Sequence, residues 1–113
     1  MLKDRVCVLR LSAVRENGTV RLAVGGMLDI ATGPQLRKYF EQVLGSSTEQ
    51  LIADFSELNF IDAAGLGALI AIRIRAEKQH VSLTLTGVPT HMFRLLKLSR
   101  LETCFTLLPA EIC

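Results

Sequence analysis

Two runs suited to β-strands, Thr19 to Val24 and Leu51 to Phe55, flank a stretch whose apolar residues fall at helical spacing. In that stretch Leu36, Tyr39, Phe40, Val43 and Leu44 recur at i, i+3, i+4, i+7 and i+8, the stripe of a helix with one buried face. A helix between two strands carries the chain back across the sheet, so the strands it joins lie parallel. The local signals agree with a helix here. Thr32 is placed as an N-cap with Gln35 as its capping-box partner, Pro34 suits the first turn, and Gly45 is placed to end the helix.

The rest of the chain continues the alternation. Val6 to Leu11 and Thr19 to Val24 are separated by Arg15, Glu16, Asn17 and Gly18, and Asn-Gly between two β-branched runs is a hairpin signal. Leu51 to Phe55 reads as a buried strand of a parallel sheet. After Phe60 and Ile61, Asp62 can cap a second helix running to about Gln79, which is expected to enter the core at its apolar start and leave it at its charged end. Val81 to Thr86 alternates like a half-buried strand. Gly87 and Pro89 then precede a third helix containing Met92, Phe93, Leu95 and Leu96, and Phe105 to Leu108 reads as a last strand stopped by Pro109. The expected fold is a single α/β domain spanning 1–113, with a mixed sheet packed with helices in the order ββαβαβαβ.

Composition removes several function classes. Thirteen basic residues against 11 acidic ones, with the basic residues dispersed, leave no footprint for nucleic acid. The N-terminal ten residues are too charged for a signal peptide, and Ala63 to Ile72 is too short to cross a bilayer, so a cytoplasmic protein without direct membrane insertion is expected. Cys7, Cys104 and Cys113 suit neither a disulfide framework nor a zinc site; buried or terminal thiols are expected, with a Cys104–Cys113 redox pair as a minor alternative.

No catalytic set assembles. His80 and His91 are read as structural or solvated, and Ser46, Ser47 and Thr48 as a solvated turn without an activating base. Gly65-x-Gly67 lacks the remainder of a dinucleotide fingerprint. No enzyme activity, cofactor or metal site is therefore expected. Gly65 and Gly67 in the first turns of a helix each forfeit about 1 kcal/mol against Ala, which implies a close approach there of either the sheet or a partner.

The segment Asp54-Phe55-Ser56-Glu57-Leu58-Asn59-Phe60-Ile61-Asp62-Ala63-Ala64-Gly65-Leu66-Gly67 resembles the signature of STAS domains of the anti-sigma factor antagonist type. In that family a strand ending in Asp-x-Ser is followed by an apolar pair and by Asp-Ser-Ser/Thr-Gly-Leu-Gly at a helix start. Gly26 to Thr32 is similar to the family's Gly-Glu-Leu-Asp segment, with Met27 in place of Glu and Asp29 retained. Phe93 to Leu101 followed by Phe105 is similar to its last helix and strand.

The resemblance implies a protein-binding surface built from Asp29, Thr32, Asp62, Ala63, Ala64, Gly65 and Leu66, with a kinase-like anti-sigma factor as partner and release of its sigma factor as the outcome. It favours a partner surface as the reason for the glycines and a basic residue of the partner as the counterpart of Asp29. In the family the first Ser of the motif is phosphorylated, which adds roughly −1.5 to −2 charges to the contact surface and disrupts it. Here that position is Ala63 and its neighbour is Ala64, so no phosphorylation is expected at the usual site. Two further readings stand beside this one: a non-phosphorylatable STAS subunit of a lipid-transport or stress-signalling assembly, and a nucleotide or other anion bound at the Asp62 helix start. Oligomeric state is open.

Overall fold

The computed structural model describes residues 8–108 of the chain. Strands β1 (Leu9–Glu16) and β2 (Thr19–Leu28) form the expected antiparallel hairpin, and Asn17 in the loop takes a left-handed φ of 59°. Then follow α1 (Gly33–Val43), β3 (Gln50–Asp54), β4 (Leu58–Ile61), α2 (Ala63–Lys78), β5 (Ser82–Thr86), α3 (Thr90–Leu98) and β6 (Thr106–Leu107). The mixed α/β sheet is confirmed: beyond the hairpin all pairings are parallel, in the order β1-β2-β3-β5-β6.

The observed order is ββαββαβαβ, so the expected ββαβαβαβ lacks one strand, β4. Long β2 serves two parallel partners, β3 along Thr19–Ala23 and β4 from Gly26 to Leu28, with a register shift between Gly26 and Met27. Only Leu58 and Ile61 of β4 face inward, and Asn59 and Phe60 between them are exposed. Inward residues at i and i+3 lack the alternation of a half-buried strand, which is why the sequence did not reveal it.

The hairpin also sits further along than expected. Its two-residue loop carries the ladder to Glu16 opposite Thr19, so Val14, Arg15 and Glu16 belong to β1, and β2 runs past Val24 to Leu28. Val6, expected in the first strand, lies outside the described residues, as do Cys7, Pro109 and Cys113.

Alternate residues of β2, Val20, Leu22 and Val24, face the helices together with Leu51, Ala53 and Leu85. Against them pack Leu36 and Phe40 of α1 and Leu66, Leu69 and Ile72 of α2. Burial of each of the Val, Leu, Ile and Phe side chains contributes about 1.5 to 3 kcal/mol. Ala76 is also buried, so α2 keeps a narrow inner stripe to its last turn, where it was expected to leave the core. Arg75, Glu77 and Lys78 are exposed, while half-buried Arg73 lies over the ring of Phe105.

Two helix ends differ from the sequence reading. Thr32 precedes α1 but its side chain caps no N–H of that helix. Gly45 is not in a left-handed conformation; α1 ends at Val43, and the missing Cβ of Gly45 leaves room for Arg15, whose guanidinium donates to the Val43 carbonyl and, at 2.9 Å, to Thr48 Oγ1. A cation at a helix C-terminus complements the dipole. Thr48 is accordingly buried, not solvated.

Candidate functional site

The start of α2 stands at the end of β2 and β4. Asp62, with extended φ −124° and ψ −170°, is the N-cap, and its Oδ1 accepts the Gly65 N–H at 3.0 Å. Asp62 therefore caps the helix as expected, by satisfying one of its free N–H groups. Gly65 is buried against β2, and a Cβ there would overlap the carbonyl of Leu28. The close approach is that of the sheet, which corrects the expectation of a partner surface at this glycine. At Gly67 the opposite holds: nothing lies within 4 Å of where a Cβ would stand, and the residue is exposed.

Beside the α2 start, the turn before α1 is held by its own side chains. Asp29 Oδ1 accepts the backbone N–H groups of Ala31 at 2.9 Å and Thr32 at 3.1 Å. Thr32 Oγ1 donates to the Met27 carbonyl at 2.8 Å and accepts the Asp29 N–H at 2.9 Å. The Gly33 N–H closes the turn on the Asp29 carbonyl at 2.8 Å. Asp29 thus closes the turn ahead of α1 without capping an N–H of the helix itself, and Thr32 ties that turn to the end of β2.

The residues expected to form the site are brought together, in two roles. Ala63 and Ala64 are exposed, and Asp29 and Asp62 are half-buried. Thr32, Gly65 and Leu66 are buried and act as support beneath that surface. The structure adds residues that sequence reasoning missed. Ile30 is 79% exposed at the tip of the turn, and a groove between the two helix starts is lined by Ile30, Pro34, Arg37, Ala64 and Gly67. The helices approach closely there because Gly33 has no Cβ; one would lie 3.3 Å from that of Ala68. A large apolar residue between Asp29 and a helix start was the available signal for Ile30, but a loop residue carries no periodicity to read.

Chemically this surface offers aliphatic contact rimmed by two carboxylates and the Arg37 guanidinium. The other singled-out residues have structural places. His91 Nε2 lies 3.0 Å from the Leu58 carbonyl, so its N–H fastens α3 to β4. His80 occupies a left-handed position after α2. Asp54 Oδ1 accepts the Ser56 N–H at 2.9 Å, and Gly87, with φ 63°, fits against both residues. Cys104 is exposed, in contrast to the expected burial, and Cys113 falls outside the described residues. Among the described residues no group of three His, Cys, Asp or Glu could hold a metal ion, and no helix is long and apolar enough to cross a membrane.

Three solved structures share the fold. An anti-sigma factor antagonist from Mycobacterium paratuberculosis is similar at 23% identity over 95% of this chain and 91% of that one, with a TM-score of 0.74. The Bacillus cell fate determinant SpoIIAA in its phosphorylated form is similar at 19% identity over 90% and 92%, with a TM-score of 0.66. RsbS of Moorella thermoacetica matches at 19% identity over 88% and 86%, with a TM-score of 0.69. At such identities these likenesses speak to the fold. The family model described as "Mlab, STAS domain" matches residues 10–109, nearly the whole sequence, and the chain belongs to the STAS-domain family.

Proposed function

We propose that this protein is an anti-sigma factor antagonist that binds a kinase-like anti-sigma factor and frees the sigma factor it holds. The observation that carries the reading is the exposed start of α2, Ala63 and Ala64 beside Ile30 and open Gly67, on a fold shared with antagonists. Ala, Gly and Ile bury on contact without desolvating a charge, so such a surface suits docking. The carboxylates of Asp29 and Asp62 at its rim favour a partner with basic residues facing them.

The same residues argue for an antagonist without phosphorylation at the usual position. Neither Ala63 nor Ala64 has a hydroxyl, and the Thr32 hydroxyl is buried in hydrogen bonds beneath them. Occupancy of the partner is then governed by abundance and affinity.

The test is affinity capture from the source cell with the unmodified protein beside an Asp62→Lys/Ala64→Glu variant, followed by titration of the purified partner. A kinase-like anti-sigma factor held by the unmodified protein alone supports the reading. Retention of lipid-transport or stress-signalling subunits in its place moves the function to those assemblies. Incubation with the captured kinase and ATP should leave the intact mass unchanged; gain of one phosphate would refute the unphosphorylated mode.

A further inference from the structure

β1 closes one side of the sheet, and among the described residues no strand pairs with its outer edge. Its ladder with β2 starts at the loop, Glu16 opposite Thr19, and at the far end the Met27 N–H donates to the Val8 carbonyl. Backbone groups alternate in direction along an antiparallel strand, so the even-numbered residues from Val8 to Glu16 bond to β2. Those of Leu9, Leu11, Ala13 and Arg15 face outward. Over the eight residues of β1 there is no proline and no register shift against β2, two of the devices that blunt an edge, and its charges are of both signs. Val14 is 64% exposed on the open face, and a groove lined by Ala13, Tyr39, Gln42 and Val43 opens between the edge and α1.

We infer that β1 pairs antiparallel with β1 of a second copy of this chain, about a two-fold axis at Ala13. The charge pattern selects the occupant and the register. Centred on Ala13, Arg10 stands opposite Glu16 of the second copy, twice over by symmetry, and Ser12 stands opposite Val14. Centring on Ser12 sets Arg10 against Val14, and centring on Leu11 sets it against Ser12, with no opposite charges facing in either case. The small side chain of Ala13 at the axis lets the two grooves beside α1 come side by side. In the single chain Arg10 leans over Gly25 towards Glu57; it is exposed and free to turn to the edge. The contact is isologous, so it closes at two copies and consumes both edges. It falls at the small end of specific interfaces, below about 1,200 Å² in total, so association is concentration-dependent.

Sedimentation velocity from micromolar to millimolar protein is the test. A dimer fraction that rises with concentration is expected, with Arg10→Glu and Glu16→Arg each weakening association about tenfold and the double variant regaining it. Amide exchange of the unmodified protein gives a second readout independent of any variant. The amides of Leu11, Ala13 and Arg15 should slow as concentration rises, while those of Ser12 and Val14, already bonded to β2, stay constant. A monomer across the whole range, a dimer indifferent to both charge reversals, or slowing confined to other elements would overturn the inference.

Discussion

Gly65, in the first turn of α2, lies against the carbonyl group of Leu28 so closely that a Cβ at position 65 would overlap its oxygen. Two residues further on, Gly67 faces open space. The pair separates a packing glycine from a surface glycine within one motif.

Gly65→Ala should destabilise the protein by about 2 to 3 kcal/mol, because the obstruction is backbone and cannot swing aside as a side chain would. Gly67→Ala should stabilise it by up to about 1 kcal/mol through helix propensity alone. Thermal melts of the two variants beside the parent check both signs, and equal effects would contradict the assignment.

Ala63→Glu places a carboxylate in the first turn of α2, where the helix dipole favours it by about 0.3 to 1 kcal/mol. The melting temperature should hold or rise while affinity for the partner collapses. Loss of binding together with loss of stability would point to a folding defect and remove the variant as evidence for the surface.

Thr32→Val should cost about 1 to 3 kcal/mol, because it leaves the Asp29 N–H and the Met27 carbonyl without their partner in a buried place. Thr32→Ser keeps both hydrogen bonds and should lose less. Denaturant melts compare the two. Since the turn carries Ile30, Thr32→Val should also lower partner affinity.

α2 and α3 end in the same way. The Val81 N–H reaches the Ala76 carbonyl at 2.8 Å with His80 at φ 60°, and the Leu101 N–H reaches the Leu96 carbonyl at 2.8 Å with Arg100 at φ 59°. Each is a left-handed helix stop that favours glycine, yet neither residue is glycine. His80→Gly and Arg100→Gly should each stabilise by about 1 kcal/mol. Lying at the ends of different helices, the two should add in the double variant, which its melting temperature reads directly.

What is written within a few neighbouring residues could be read directly from the chain: the α1 stripe from Leu36 to Leu44, the Asn17-Gly18 loop, Asp62 as the cap of α2, and the absence of a hydroxyl at residues 63 and 64. Periodicity, capping and turn chemistry act over one or two helical turns, so they survive in the linear string. The remainder depends on contacts between distant parts of the chain. β4 exists because the far end of β2 offers it a parallel edge beyond the bulge at Gly26, and nothing inside Leu58–Ile61 announces that edge. Thr32 was displaced from its expected capping role because the Met27 carbonyl and Asp29 N–H lie within its reach once β2 ends there. Gly65 and Gly67 look alike in sequence, and only the position of the Leu28 carbonyl, 37 residues earlier than Gly65 in the chain, makes one a packing device and leaves the other on the surface.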